Sequence, residues 1–478
     1  MGAEKGTTVV QSLPVEATEE AELSFQFTKQ EHALTWWDAM RLHYPAIGWG
    51  LFMNMATILK GIDGGIVRSL VGLPVFKETF GYNRDGKYII AAKWLSAFGY
   101  ANLLGAIVGA LCSGIAYERL GPRRMTAGCC VLSIAFIFIQ FFSSTPAQLF
   151  VGELVNGCII AFYPICASAY VGEVTPLVLR GFAATMTNLA FSIGSLIASG
   201  ILKGTESLDS QWSYKIPIAT QWALPCIMLI LVGFCPDPPY WLCRKGRYQE
   251  AAVSLRRLAT PTVDVSQKLA HIKQTLRIEE SYQGERPTYL DCFRGTNLRR
   301  LVVCVMAYDM QAFTGNVFFL TYAVHFMELA GLDASDAFSM NIGLTASAFW
   351  ARASPGFSFH MSVDKRCPFC YVLLAEVSSA KLRGLTIALS TVTCFVWSVV
   401  FAVVIPYAMN EDQGNWRGKI GFLFSGLSML CALYCFLCMP ETKGRTFEEL
   451  DILFERKIPS RKFKYYKVDI DVGGRRLE

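Results

Sequence analysis

Charge is what this sequence has least of. Asp, Glu, Lys and Arg make up 17% of the 478 residues, against about 25% in a typical soluble domain. A soluble chain of this length divides into several cores and needs far more charge to coat them, so the scarcity excludes an ordinary cytosolic enzyme. Histidine is scarce too: five residues lie scattered along the chain. Cys367 and Cys370 are matched by no second such pair outside the apolar runs, so a structural metal site is not expected. Residues 1–43 hold seven acids and three bases with no apolar stretch, which leads us to expect a cytosolic tail rather than a signal peptide. No nucleophile–base pair or phosphate-binding loop is evident, so an enzyme is not expected and no cofactor is implied.

What the chain does have is apolar residues in long blocks. They are 53% of the total, and the mean hydropathy is +0.35. Most of the sixteen Cys sit inside these blocks, as do Cys129, Cys130, Cys166 and Cys431, where a thiol behaves as a small hydrophobe. The net charge of +6 comes from a few basic loops and reads as membrane orientation rather than nucleic-acid affinity. The pattern is that of an all-α polytopic membrane protein, with the lipid bilayer as its solvent.

A spanning helix needs about 20 predominantly apolar residues. Candidate spans are 46–68, 91–116, 125–143, 148–170, 181–202 and 216–235, then 301–328, 336–350, 384–408 and 418–439. Between the two sets, 236–300 carries twelve bases against seven acids, and the tail from 440 carries ten bases against eight acids. By the distribution of Lys and Arg, both termini are expected on the cytoplasmic side, which requires an even number of crossings. The organisation expected is a tail (1–43), a six-helix bundle (44–235), a central loop (236–300), a second bundle (301–439) and a tail (440–478). The second bundle is short. After Trp350 comes ARASPGFSFHMSVDKRCPFC, which contains no spanning run, so about ten clear transmembrane helices are expected.

Several loop motifs converge in order. GIAYERLGPRR (114–124) follows the second span, EVTPLVLRG (173–181) the fourth, and AEVSSAKLRG (375–384) occupies the matching place in the second half. PDPPYWL (236–242) and PETKGRTFEELDILF (440–454) follow the sixth and last spans. Together they resemble the sugar porters of the major facilitator superfamily. GELVNG (152–157), QWALP (221–225) and SRKF (460–463) are similar to fungal maltose/α-glucoside permeases. The resemblance implies a major facilitator fold of two helical bundles, here about ten helices instead of twelve. It also implies a plasma-membrane monomer that moves a small-molecule substrate by alternating access, with protons as the coupling ion and no nucleic-acid partner.

The resemblance suggests roles for particular residues. Glu118, Arg119, Arg123, Arg124, Glu173, Arg180, Glu376 and Arg383 sit at cytoplasmic helix ends and would latch the bundles there; topology-setting charge without a gate role is the plainer alternative. Ionisable groups inside spans cost about 2.5–3.5 kcal/mol each at the bilayer centre, so those present are informative. Lys60 and Asp63 lie one turn apart in the first span, where relatives carry an acid in place of Lys60. The lysine would keep that carboxylate ionised, which makes Glu153 of the fourth span the better proton-coupling candidate. By resemblance the QAFTGNVFFLTY stretch of the seventh span lines the sugar site, with Gln311 and Asn316 as amides suited to hydroxyls. Tyr322, also assigned to the substrate site, is with Phe313 and Phe318 either a stacking surface for a pyranose face or a packing group. Ser195 stands where sugar porters commonly place Gln. Two other readings stay open: transport of a non-sugar metabolite, or an inactive or sensor-like relic that lacks a helix pair. The absent pair itself fits either a mis-spliced exon or a true ten-helix paralogue.

Overall fold

Hydrocarbon offers no partner to a peptide group, so each apolar run coils to satisfy its own backbone. The computed structural model describes residues 34–84, 87–261, 263–282, 288–315, 318, 322–358, 377, 382–409, 414, 416–440, 453–460, 463, 466, 471–472 and 475–476. In chain order come α1 (Trp36–Leu42), α2 (Tyr44–Leu70) and α3 (Pro74–Phe80). A small antiparallel hairpin follows, β1 (Tyr82–Arg84) with β2 (Lys87–Ile89), pairing Asn83 with Tyr88. Next are α4 (Ala92–Leu120), α5 (Pro122–Phe141), α6 (Pro146–Ile160), α7 (Phe162–Val174), α8 (Arg180–Thr205), α9 (Trp212–Thr220) and α10 (Ala223–Val232). The polar middle forms α11 (Pro239–Arg244), α12 (Tyr248–Leu258) and α13 (Val265–Tyr282). The second half supplies α14 (Gly295–Phe313), α15 (Ala323–Leu329), α16 (Ala334–Ser358), α17 (Arg383–Met409) and α18 (Ile420–Cys438).

Seven stretches among the described residues are long and apolar enough to cross a bilayer: α4, α5, α6–α7, most of α8, α9–α10, most of α17, and α18. Helices α2, α14 and α16 are also long but more polar. The seven apolar stretches include surface that suits hydrocarbon: Phe422, Met429 and Phe436 of α18 are 80%, 77% and 74% exposed, which water would penalise and lipid does not. The protein is a multi-pass membrane protein.

The ten expected spans all fall on helix, with two corrections. The stretch 301–328 is not one helix. α14 stops at Phe313, and Gly315 takes φ +85°, with Thr314 N–H on Met310 C=O and Gly315 N–H on Ala312 C=O. This is a glycine-closed helix end, and a Cβ at Gly315 would also meet Phe424 Cγ at 3.0 Å. Helix α16 does not end near Trp350 but runs to Ser358, 25 residues in all.

Prolines bend three spans by withholding the N–H that would bond four residues back. Pro164 leaves the Ile160 carbonyl, at the α6–α7 junction, without its donor. Pro225 does the same to Gln221, between α9 and α10. In α17, Pro406 lies inside the helix and strands the Ala402 carbonyl; Tyr322 Oη donates to that oxygen at 2.9 Å.

The chain packs as two units. The larger comprises Leu51–Ala169, Ala184–Cys235 and Arg286–Glu478. Its apolar core includes Ile66, Leu70, Phe76, Phe98, Leu202, Tyr214, Phe318, Tyr322, Phe338, Phe401 and Phe424. Glycine allows α4 and α6 to touch: a Cβ at Gly157 would sit 2.6 Å from the Asn102 carbonyl oxygen, so only the absence of a side chain permits the crossing. Part of the tail is docked as well. Arg299 donates to Ile458 C=O and Ser460 Oγ at 2.8 and 2.9 Å, and the Arg300 guanidinium lies 4.7 Å from the Phe454 ring centre.

The smaller unit comprises Met1–Gly50, Tyr170–Ala183 and Pro236–Glu285. Trp36 packs edge-on against Phe182 at 5.9 Å, Tyr170 Oη donates to Pro236 C=O at 3.1 Å, and Thr260 N–H bonds Leu42 C=O at 3.1 Å. In α12 the buried Ala251, Leu255 and Leu258 share one face, while Arg256 and Arg257 lie on the exposed side. His43, which caps α1, is 4% exposed. Burial, helped by Lys268, holds its imidazole down to about 4 from the ordinary 6.5.

Candidate functional site

Three polar constellations interrupt the apolar interior of the larger unit. The first gathers around Asp63, which is wholly buried on α2. Its two oxygens accept from Asn102 Nδ2 of α4 and Asn156 Nδ2 of α6, each at 2.8 Å. The close α4–α6 crossing seats both amides, and Ser133 Oγ reaches Asn156 Oδ1 at 3.4 Å. Glu153, one turn before Asn156, is 1% exposed, and its Oε2 has no hydrogen-bond partner among the described residues. Gln140 is also buried with both amide atoms unpartnered, and its Cγ packs on Gly152. The sequence reading found the two acids but missed Asn102 and Asn156; their signal was an amide inside an otherwise apolar helix, in YANLLG and GELVNG.

The second constellation surrounds the end of α14. Gln311 is half-buried in its last turn. Asp309, two residues earlier, is 3% exposed with Oδ1 unpartnered among the described residues. Phe313 meets Trp397 and Phe401 of α17 at 5.0 and 6.2 Å between ring centres. Phe318 is buried and packs on Phe424 and Phe326 at 5.8 and 5.3 Å. Tyr322 is buried with its hydroxyl on Ala402. Ser195 of α8 is buried with Oγ unpartnered, beside the turn of α2 that holds Gly61 and Gly65. Asn316 lies outside the described residues.

The third constellation joins early and late segments at the end of the bundle where α2, α8 and α17 finish. Lys77 of α3 pairs with Glu328 of α15 at 2.8 Å. Lys203 of α8 bonds Glu206 at 2.7 Å and also the main-chain and hydroxyl oxygens of Ser335 at 2.7 Å. One turn earlier on α8, Ser199 Oγ accepts from Asn341 of α16 at 3.2 Å. Sequence reading missed these contacts; apart from the local Lys203–Glu206 pair, their partners stand 132 to 251 residues apart.

The residues expected to latch the bundles lie elsewhere. Glu118, Arg119 and Arg124 are exposed and Arg123 is half-buried. Arg123 donates to the Gly233 carbonyl, at the C-terminus of α10, where a cation meets the negative end of the helix dipole. Glu173 accepts from Trp241 N–H at 3.2 Å. Lys60 is half-buried on α2. The side chains of Arg180, Glu376 and Arg383 lie outside what the structure describes.

The chain is similar to known transporters. The Sugar (and other) transporter pattern matches residues 49–354 and 356–454, two pieces that meet at Pro355, where the apolar pattern fails. A general alpha-glucoside permease of Saccharomyces cerevisiae is 28% identical over 498 positions, covering 92% of this chain and 80% of that protein. The maltose permease MAL31 of the same yeast is 28% identical over 500 positions, with 92% and 81% covered. Because 498 positions correspond to only 92% of 478 residues, several dozen positions of the relative have no counterpart in this chain. Among solved structures, the inward-open xylose transporter XylE of E. coli superposes with a TM-score of 0.65 at 18% identity, covering 85% of this chain and 99% of that one. XylE bound to 6-bromo-6-deoxy-D-glucose, described as a proton:xylose symporter, gives 0.61 at 20% identity, with 86% and 99% covered. The chain thus belongs to the Sugar (and other) transporter family of the major facilitator superfamily.

Proposed function

We propose that this protein moves an α-glucoside-type sugar across the plasma membrane by alternating access, in symport with protons, as a monomer with both termini in the cytoplasm. Its two halves, 44–235 and 301–439, would rock about a site lined by Gln311, Ser195 and Asn316, with 236–300 as a cytosolic connector. The observation that carries the coupling is Glu153: a carboxyl enclosed in the bundle, with one oxygen unpartnered, one turn from the amide that holds Asp63. An ionised carboxylate is costly in such a place and a neutral acid is not, so Glu153 is suited to alternate between the two as its surroundings open. Asp63, held by two amide donors and with Lys60 a turn away, serves as the fixed charge against which it works.

The contacts Lys77–Glu328, Lys203–Ser335 and Asn341–Ser199 support a state closed at the outer end. Tyr322, whose hydroxyl serves α17, supports the scaffold of that closed state rather than the sugar. The test is Glu153→Gln in proteoliposomes. Maltose counterflow should persist while accumulation driven by a proton gradient is lost; unchanged uphill accumulation would overturn the role given to Glu153.

One observation favours a second reading. Ser195 offers a single short hydroxyl where sugar porters commonly have an amide, and at the end of α14 Phe313 is packed by Trp397 and Phe401. A less hydroxylated metabolite fits that environment, and competition of maltose uptake by candidate solutes separates the two. A relic that lacks transport is the outcome if neither maltose nor competitor moves.

A further inference from the structure

The geometry points to a seat for one glycerophospholipid on the flank of the larger unit, between α4 and α17. A groove of about 310 Å³ opens there. On α4 its wall is Lys93, Ser96, Tyr100 and Leu104; on α17 it is Tyr407, Val403 and Val399. The two helices run in opposite directions, yet both walls grade the same way. At one end stand an ammonium and a phenol, Lys93 and Tyr407; next come Ser96 and Tyr100; then Leu104, Val399 and Val403.

From Lys93 to Leu104 is eleven residues, about 16 Å along a helix, or half of a hydrocarbon core of about 30 Å. One leaflet has that depth and that order of chemistry: phosphodiester, glycerol esters, acyl chains. The rim cation is exposed and makes no ion pair among the described residues, lying only over the Trp94 ring at 5.9 Å. Trp94 and Tyr407 are the amphipathic rings that settle at headgroup level. Ser96 is 2% exposed, so on this wall it adds a small, closely packed surface and not a bulky side chain. Tyr100 is held edge-on by Phe150 at 5.9 Å, so this wall is already formed. Charge selects the occupant: a basic pocket between spanning helices takes a phosphate-bearing headgroup, whereas a sterol has no anion for Lys93.

The test uses the full-length protein in phosphatidylcholine liposomes doped with phosphatidylcholine carrying a photoactivatable diazirine on one acyl chain, with adducts mapped by peptide mass spectrometry. Adducts on 93–104 and 399–407 should exceed those on the open α18 face around Phe422 and Phe436 at least fivefold. Leu104→Trp and, from the opposite wall, Val403→Trp should each reduce groove adducts about fivefold and leave α18 adducts unchanged. Lys93→Glu should do likewise, and Lys93→Arg should restore them. Equal labelling of groove and α18, no response to either tryptophan, or displacement of the phospholipid by an equimolar sterol would overturn the proposal.

Discussion

The Tyr322 hydroxyl donates at 2.9 Å to the Ala402 carbonyl, an acceptor that Pro406 deprives of its helical donor. A bend in α17 is thereby tied to the segment that follows the break in α14. Leaving that carbonyl buried and unpartnered costs about 1–3 kcal/mol, so Tyr322→Phe should destabilise the purified protein by that amount. In a Pro406→Ala background the helix supplies its own N–H, and the cost should fall below about 1 kcal/mol. Denaturant unfolding of the four proteins of this double-mutant cycle measures the difference; equal costs in both backgrounds would refute the relationship.

Lys77 of α3 and Glu328 of α15 form an ion pair at 2.8 Å, and in the proposed mechanism that pair closes the far end of the bundle. Their side chains are 23% and 14% exposed, so the pair is partly screened and contributes on the order of 1 kcal/mol. Lys77→Ala or Glu328→Gln should shift the open–closed balance roughly fivefold toward opening at that end. In a cysteine-depleted protein with Gln311→Cys, an impermeant maleimide added from that side should react correspondingly faster. The double swap Lys77→Glu with Glu328→Lys should bring the rate back toward the parent.

Gly315 joins two constraints, a left-handed backbone and a close neighbour in Phe424. Gly315→Ala should cost about 1–2 kcal/mol from the backbone conformation alone. Adding Phe424→Leu should recover only the steric part. Thermal unfolding in detergent checks both, and a neutral Gly315→Ala would mean that the turn after α14 is not required.

His43 gives the smaller unit a pH dependence of definite sign. Its imidazole titrates near 4 when folded against 6.5 ordinarily, so above pH 6.5 it is neutral in both states and adds nothing. As pH falls from 6.5 to 4 the unfolded segment takes up a proton that the folded one refuses. Stability drops across that window by up to about 3 kcal/mol. Hydrogen exchange at α1 and α12 should accelerate between pH 6.5 and 4, and His43→Leu should flatten the profile.

Much of this architecture was legible in the sequence because hydrocarbon demands it. The apolar runs fall on helix, and seven of the helical stretches among the described residues are long and apolar enough to cross a bilayer. The break at Gly315 escaped because hydropathy averages smoothly across Phe313, Phe318 and Phe319, while a helix end is decided by one backbone dihedral. The same averaging joined α6 to α7 and α9 to α10, although Pro164 and Pro225 stood where a missing N–H falls four residues on. Asp63 and Glu153 could be picked out as costly charges. Their environment could not, because Asn102 and Asn156 are brought to Asp63 by a glycine-permitted crossing of α4 and α6. Lys77 and Glu328 look like ordinary loop charges until the fold sets them 2.8 Å apart.

The claim on which the account turns is that a sugar and a proton cross together. It is tested most directly by placing the purified protein in liposomes that enclose a pH-sensitive dye and adding maltose outside at zero pH gradient. The account predicts that maltose acidifies the lumen in wild-type liposomes and not in Glu153→Gln liposomes that still exchange labelled maltose. Maltose entry without proton movement, or no entry in vesicles shown to hold folded protein, would contradict it.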